Sequence, residues 1–395
     1  MPHSQSNSKK SVAGMGNIRQ VTKTKNGRTY SYWEGRFTIG YDPGTGKQIQ
    51  KTVSGKTKRE AIQKMKAALA EVDAGTYKEP CKITLGEHLD TWLAESLRDA
   101  KPLTIGTYTE IVNCHIKPAL GAVKLEALTR QIIQRFYNDL TESKHLSPKT
   151  VKNIHGVLHK ALQEAVLSDY ILKNPAAGCS LPKVQRPEIK PLEPLQTAQM
   201  LKEAEKDDYC NLLIVALFTG MRQGELLGLS WDCVNFATGI ITVKQQLQCK
   251  DGNYFLSTPK NGKRRTILPA PMVMDALRQE REKQRSEQAQ AGDLWSNPYN
   301  LVFTDSLGKH LVRRTVVKHF KAVAQRVGVP DARFHDLRHS FAVNSLQAGD
   351  DIKTVQENLG HATAAFTLDV YGHVTEKMQR DSAARMQQFY EQIRQ

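Results

Sequence analysis

The chain has 395 residues, of which 39% are hydrophobic, so it can bury two or three hydrophobic cores of ordinary size. Its formal charge of +16 indicates a polyanionic partner, although charge alone does not determine a fold. No apolar run approaches the roughly 18 residues of a membrane helix, and the first ten residues lack the apolar core of a signal peptide. We therefore expect a cytoplasmic protein that has no membrane partner.

The cysteines are scattered along the chain and form no Cys-x-x-Cys motif. They are Cys81, Cys114, Cys179, Cys210, Cys233 and Cys249. This usage is typical of free thiols in a reducing compartment. We therefore predict neither a disulfide framework nor a bound metal, and no cofactor.

The amino-terminal fifth of the chain combines strand patterns with strong basicity. Residues 1–15 are polar and are predicted to form a disordered tail. Strand patterns at Ile18–Thr22, Tyr30–Tyr41 and Gln48–Val53 precede a helical pattern over Glu60–Asp73, which Gly75 is expected to close. Residues 1–78 contain fifteen lysines and arginines against five acidic residues, which places +10 of the +16 here. The sequence thus predicts a nucleic-acid-binding domain over 16–78, in which three strands pack on one helix.

The rest of the chain reads as mainly helical and falls into two further domains. Helical patterns cover Leu85–Ser96, Thr104–Ile116, Thr129–Thr141 and Pro148–Leu167, the last capped by Ser147. They predict a helical domain over 83–178, and a proline-punctuated linker over 179–195 follows it. Residues 196–395 are mostly helical, with an insert of strands at Gly239–Gln248, Tyr254–Ser257 and Arg265–Leu268. The expected fold class is a multidomain, mainly α protein.

Six polar residues in this last domain suit a metal-free attack on a phosphodiester. They are Arg222 in Thr219-Gly-Met-Arg-Gln-Gly-Glu-Leu226, Lys260 in Thr258-Pro-Lys-Asn-Gly262, His335 and Arg338 in His335-Asp-Leu-Arg-His339, His361 after Leu359-Gly360, and Tyr371 in Val370-Tyr-Gly-His373. Guanidinium groups can hold non-bridging oxygens by paired charge-assisted bonds. A lysine can protonate a leaving oxygen, and a histidine can take the proton of a tyrosine nucleophile.

Each of these assignments has a plainer alternative. Arg222 can be explained by an ion pair with Glu225, and His361 by a capping role at a helix end. The competing residues are Lys250 and Lys263 for the lysine, His339 for the first histidine, and Tyr209 and Tyr390 for the tyrosine. His-x-x-Arg alone is a weak motif, but the order and spacing of all six residues together are specific.

The six residues resemble the catalytic signature of the tyrosine recombinases, the phage integrase family. The likeness is strongest to integrases of conjugative transposons and related phages of Gram-positive bacteria. It implies a site-specific DNA recombinase that integrates and excises a mobile element without metal or ATP. By this resemblance, Tyr371 of this chain would form a 3′-phosphotyrosyl link with DNA, and Lys260 would protonate the departing 5′-oxygen. Further roles are implied for Arg222, Arg338 and His361, which would stabilise the phosphorane, and for His335, which would assist proton transfer.

The resemblance also implies roles for the domains and for partners. Residues 16–78 would bind arm sites through Arg19, Lys23, Arg28 and Arg36, residues 83–178 would bind the core site, and residues 196–395 would be catalytic. The C-terminal helix, with an apolar stripe of Met378, Met386, Phe389 and Ile393, would join protomers of a homotetramer on double-stranded DNA. An excisionase and a host DNA-bending protein would assist this nucleoid-associated enzyme.

Two other functions fit parts of the pattern. A DNA-binding architectural or regulatory protein would need the basic domain but no catalytic residues. A type IB topoisomerase would use the same chemistry, although it has no need of an arm-site domain.

Overall fold

The computed structural model describes residues 16–25, 28–74, 82–185, 190–259, 262–360 and 375–394. The chain divides into two compact units between Val184 and Gln185, inside the predicted linker. No helix in these described ranges is both long and apolar enough to cross a membrane.

The amino-terminal part of the first unit is an antiparallel sheet packed on one helix, as predicted. Strands β1 (Asn17–Lys25), β2 (Arg28–Tyr41) and β3 (Gln48–Gly55) pair in the order β1-β2-β3, and α1 (Lys58–Asp73) follows. Its small core consists of Phe37 on the sheet and of Met65 and Ala68 on the helix. The helix ends at Asp73. Gly75, which was predicted to close it, lies outside the described residues.

The second part of the first unit is a bundle of five α-helices. These are α2 (Leu85–Glu95), α3 (Pro102–Ile111), α4 (Lys117–Leu120), α5 (Arg130–Glu142) and α6 (Pro148–Leu167). The predicted helix over 104–116 is not uniform, because a π-helical turn over Val112–Ile116 joins α3 to α4. The predicted Ser147 cap is present, since its hydroxyl accepts a hydrogen bond from the Thr150 N–H at 3.1 Å.

The second unit is mainly helical and carries two small sheets. Its helices are α7 (Pro194–Ala204), α8 (Cys210–Thr219), α9 (Gln223–Leu227), α10 (Pro271–Ala291), α11 (Arg313–Arg326), α12 (Asp336–Ala348), α13 (Ile352–Leu359) and α14 (Thr375–Arg394). Its strands are β4 (Val234–Asn235), β5 (Ile240–Val243), β6 (Gln246–Lys250), β7 (Asn253–Ser257) and β8 (Arg265–Ile267). The buried helix α8 packs on α10 and α12, so it supports the segments that flank it.

The prediction of one strand over Gly239–Gln248 was wrong. Strand β5 pairs with β4 and β8, whereas β6 pairs with β7 in a separate hairpin. Between them, the Gln245 side chain donates to the Gly228 carbonyl at 2.9 Å. The chain leaves one sheet there to pack against the end of α9, where Gly228 leaves room for close contact with the backbone of Gln246 and Leu247.

Helix α14 ends the described chain, and its described apolar side chains are uncovered, whereas the side chain of Met378, the first residue of the predicted stripe, lies outside the described residues. Met386, Phe389, Tyr390 and Ile393 are between 49% and 67% exposed. The helix therefore does not bury this stripe against the rest of its own described chain.

Candidate active site and DNA-binding face

Arg222 lies at the junction between α8 and α9, where the backbone conformation requires a glycine. Helix α8 ends at Gly220, whose φ of 61° is left-handed. A Cβ at this position would come within 2.5 Å of the Phe341 ring and 2.7 Å of Leu359, so only glycine fits. Arg222 then occupies the N-cap position of α9, with its side chain 23% exposed.

Glu225 is a fully buried carboxylate that holds Arg222 from within the protein. It accepts hydrogen bonds from the Arg222 backbone N–H at 3.0 Å and from Arg222 Nη1 at 2.8 Å. Arg265 donates to its two oxygens at 3.1 and 2.7 Å. Burial alone raises the pKa of Glu225, but the bonds and charge of Arg265, and then those of Arg222, outweigh burial and lower the pKa to about 2. The predicted Arg222–Glu225 pair is thus present, as part of a larger network.

Arg338 is a second arginine, and it is almost completely buried. Only 3% of its surface is exposed, and its guanidinium donates to the Gly220 and Leu359 carbonyls at 2.6 Å each. Because arginine stays charged in proteins, such burial needs these strong acceptors. The two bonds fix the end of α8, the end of α13 and helix α12 around one guanidinium.

His335 is the N-cap residue of the same helix and supplies an imidazole beside the arginines. The residue as a whole is exposed, and its ring stands edge-on to that of His339, with ring centroids 4.9 Å apart. Although the residue is exposed, the neighbouring protein partly desolvates its ring, and this desolvation, followed by His339 and the charges of Arg338 and Arg222, lowers the pKa of His335 to about 4. The ring is therefore neutral at neutral pH, and a neutral imidazole can accept a proton.

The start of α12 is held in place by two further contacts. The Asp336 carboxylate accepts hydrogen bonds from the Arg333 backbone N–H at 2.8 Å and from its guanidinium at 2.7 Å. The Ser340 hydroxyl accepts one from the Leu192 N–H at 2.8 Å. These contacts fix the direction in which His335 and Arg338 leave the helix.

Three of the six predicted catalytic residues lie in the described structure and share this site. The other three, Lys260, His361 and Tyr371, lie outside the described residues. The described residues next to Lys260 and His361 form defined turns: the Gly262 N–H donates to the Pro259 carbonyl at 2.8 Å, and Gly360 ends α13 with a left-handed φ of 65°. Within the described ranges, no group of three or more His, Cys, Asp and Glu side chains could hold a metal ion.

Of the competing tyrosines, Tyr209 packs its ring 4.3 Å from that of His319, and Tyr390 lies on α14. Of the competing lysines, Lys250 ends β6 and Lys263 is exposed before β8. The choice of Lys260 and Tyr371 stays a prediction.

Arg265 is the site residue that the sequence analysis missed. It stands in the basic run Lys263-Arg-Arg265, and only the contacts made by its side chain distinguish it from its neighbours. Those contacts reach residues 40 and 93 positions away in the chain.

The predicted DNA-binding residues Arg19, Lys23 and Arg36 lie on the sheet face that points away from α1. Side chains alternate between the faces of a strand, and the register sets Arg19 opposite Glu34 and Lys23 opposite Tyr30. Arg28 begins β2, opposite Lys25 in the register, and its side chain lies outside the described residues. Three further members of this face are Glu34, which pairs with Arg19 at 2.9 Å, and Tyr30 and Tyr32. The result is a mixed basic and aromatic surface of the kind that contacts nucleic acid.

Comparison with known proteins identifies the family. The model of the phage integrase family matches residues 190–378, and that of the phage integrase N-terminal SAM-like domain matches residues 84–141. A tyrosine recombinase XerC-like protein of Caldanaerobacter subterraneus subsp. tengcongensis is 31% identical over 393 residues, covering 94% of this chain and 99% of that protein.

Solved structures show the same fold. The Tn1549 transposon integrase in complex with a circular intermediate DNA has a TM-score of 0.66 at 21% identity, covering 77% of this chain and all of that one. A lambda integrase tetramer bound to a Holliday junction has a TM-score of 0.52 at 21% identity, covering 85% and 92%. The chain therefore belongs to the phage integrase family: it is a tyrosine recombinase, a DNA strand-exchange enzyme of mobile genetic elements.

Proposed function

We propose that this recombinase cuts specific DNA sites through Tyr371 and thereby integrates and excises its mobile element. One observation carries the proposal: two arginines, Arg222 and Arg338, are held by buried acceptors beside His335, an imidazole that is neutral at neutral pH. Guanidinium groups fixed in this way need no reorganisation when charge develops on a phosphate, which is the most effective form of electrostatic catalysis.

The proposed reaction is two successive transesterifications. The Tyr371 hydroxyl oxygen attacks the phosphorus, the bond to the 5′-oxygen breaks, and Lys260 gives that oxygen its proton. A 5′-hydroxyl of a partner strand then attacks the phosphotyrosine and releases the tyrosine. His335 assists the proton transfers by taking the proton of the Tyr371 hydroxyl and returning it in the second step, while Arg222, Arg338 and His361 stabilise the pentacoordinate phosphorus. Each step exchanges one phosphodiester for another, so ATP is not needed to supply energy, and in this scheme the arginines, without a metal, stabilise the charge on the phosphorus.

The proposed partners follow from the domains and the relatives. Residues 16–78 bind arm sites and residues 83–178 bind core sites, with the chain between 179 and 195 as the linker to a catalytic domain over 196–395. The lambda integrase structure is a tetramer on a Holliday junction, and we propose the same assembly state for this protein on paired DNA sites. An excisionase and a host DNA-bending protein would assist it at the nucleoid.

A suicide substrate tests the proposal directly. A core-site duplex with a nick just beyond the scissile phosphate loses its short product strand, so the covalent protein–DNA adduct accumulates. We expect an adduct that survives denaturation and is linked through Tyr371. Binding without an adduct would indicate an architectural protein, and relaxation of supercoiled DNA without exchange between two duplexes would indicate a topoisomerase.

A further inference from the structure

Arg265 connects three segments that carry predicted catalytic residues. From strand β8, its Nη1 and Nη2 reach the two oxygens of Glu225 at 3.1 and 2.7 Å, and its Nε donates to the Asn358 carbonyl at 2.7 Å. Glu225 in turn holds the backbone and the guanidinium of Arg222. Asn358 lies in the last turn of α13, which leads through Gly360 to His361. One side chain therefore joins the segments of Lys260, Arg222 and His361.

The surroundings of Arg265 match the shape of its side chain. Its side chain is 10% exposed, and its planar fork matches the two carboxylate oxygens while a third N–H points to a backbone carbonyl. Gly360 packs against it, because a Cβ there would lie 3.0 Å from Cδ and 3.1 Å from Nη1 of Arg265. The left-handed Gly360 thus ends α13 and also leaves space for the guanidinium.

Arg265 also determines the ionisation state of Glu225 and the direction of its two oxygens. A fully buried carboxylate is costly unless it is well paired, and removing one partner of such a pair is strongly destabilising. With Arg265 present, Glu225 stays ionised and both of its oxygens keep fixed directions toward Arg222. Without it, the carboxylate would have only Arg222 as a charged partner in the network and would pull that guanidinium inward.

We infer that Arg265 is a positioning residue for the cleavage step: it holds Glu225 so that Arg222 presents its free donors to the scissile phosphate. The inference rests on the proposed function, in which Arg222 binds that phosphate. Arg265 itself touches no DNA in this scheme. It acts through Glu225 on Arg222.

The test is the rate of adduct formation on the suicide substrate at saturating DNA, together with the DNA dissociation constant. Arg265→Gln should lower the cleavage rate about 100-fold, the size expected when a reacting group is displaced by about 1 Å. DNA affinity should change much less. Arg265→Lys keeps the charge but cannot bind both Glu225 oxygens and the Asn358 carbonyl, so its rate should lie in between. Arg285→Gln, which removes an exposed arginine of α10, is the charge-matched control and should cleave like the wild type.

A double-mutant cycle separates positioning from general stability. If Arg265 acts through Glu225, then Arg265→Gln should cost no more than roughly twofold in rate when Glu225→Gln is already present. Independent, additive losses in the two variants would overturn the inference, as would a wild-type cleavage rate in Arg265→Gln. Should Arg265→Gln not fold, the double variant E225Q/R265Q leaves no unpaired buried carboxylate and must still lose cleavage about 100-fold. A wild-type protein that forms no adduct at all would instead refute the proposed function.

Discussion

At the scale of single residues, the two interpretations of Arg222, an ion pair with Glu225 and a contact with the scissile phosphate, are compatible. Its ion pair with Glu225 uses one guanidinium nitrogen, Nη1, for the side-chain contact. A guanidinium has five N–H donors, so others remain available for a phosphate oxygen. The ion pair therefore leaves Arg222 able to donate to a phosphate, so it does not argue against the proposed catalytic role.

Arg222→Lys tests whether Arg222 contacts the phosphate. Lysine keeps the charge but lacks the planar guanidinium that can donate two hydrogen bonds to one phosphate. We expect the cleavage rate at saturating DNA to fall by at least about 100-fold, the typical cost of one lost transition-state donor, while the dissociation constant changes far less. Equal losses in cleavage and binding, or cleavage at the wild-type rate, would leave the ion pair as the only role of Arg222.

Tyr371→Phe removes one nucleophilic oxygen and little else from the side chain. We expect no covalent adduct on the suicide substrate and nearly unchanged DNA binding in a gel-shift assay. Tyr390→Phe on α14 is the matched control and should form adduct normally. If the Tyr371 variant still forms the adduct, the nucleophile lies elsewhere, and Tyr390 is the next residue to replace.

The buried Glu225 predicts a pH-dependent contribution to stability. Its folded pKa of about 2 is below the ordinary value of 4.5, so its contribution is fully present above pH 4.5 and is lost as the pH falls through 2. The shift corresponds to about 3 kcal/mol. Glu225→Gln should therefore lower the melting temperature most at neutral pH, and the gap to the wild type should shrink between pH 4.5 and pH 2. A gap that stays constant over this range would contradict the assigned pKa.

Three residues that sequence reasoning selected, and that the structure brings together, have a local signal, whereas the signal of Arg265, which it missed, is not local. Arg222 stands between a glycine-terminated apolar helix and an acidic first turn, and His335 and Arg338 share one helix face. Arg265 is one of three consecutive basic residues, and its importance comes from partners 40 and 93 residues away. Only the folded chain brings Glu225 and Asn358 to it.

At the scale of elements, helix caps and strand alternation could be predicted from the sequence, because their signals are also local. Ser147 before Pro148 determines where α6 begins, and alternating residues determine the strands of the amino-terminal sheet. The break between β5 and β6 could not be predicted from the sequence. It occurs because the Gln245 side chain donates to the carbonyl of Gly228, which lies 17 residues earlier in the chain. Tertiary contacts of this kind override strand propensity.

The exposed face of the amino-terminal sheet predicts where phosphate contacts lie. Arg19→Gln combined with Lys23→Gln should weaken arm-site binding and reduce the slope of log affinity against log salt by up to about 2, since each phosphate contact contributes about 0.9. The matched control is Arg59→Gln with Lys66→Gln, two exposed positions of α1 that remove the same charge. Equal effects in both pairs would mean that net charge, and not this face, binds DNA.

Removing residues 1–78 extends the same argument to the domain. The deletion takes away +10 of the +16, so it should abolish arm-site binding and lower the salt dependence of DNA binding. Core-site binding should persist at lower affinity. A salt slope that is unchanged by the deletion would mean that the amino-terminal charges do not contact phosphate.

At the scale of the whole molecule, the apolar stripe of α14 has no cover within the described chain. Met386, Phe389 and Ile393 are each more than half exposed, and apolar groups at helical spacing gain free energy when a partner surface covers them. We expect this surface to lie on a neighbouring protomer of the assembly on paired DNA sites.

Truncation after Thr375 should therefore impair synapsis, and it should also alter cleavage because Tyr371 lies only four residues before the cut. To separate the two effects, Phe389→Ser with Ile393→Ser leaves the chain near Tyr371 intact and removes only part of the stripe. This pair should lower the fraction of tetramers on paired sites in native gels while a single bound protomer still cleaves a suicide substrate. Gln387→Ser with Gln392→Ser, polar positions of the same helix, is the control. If the truncated protein still assembles tetramers on paired sites, α14 does not join protomers, and its stripe must be covered by a segment of its own chain.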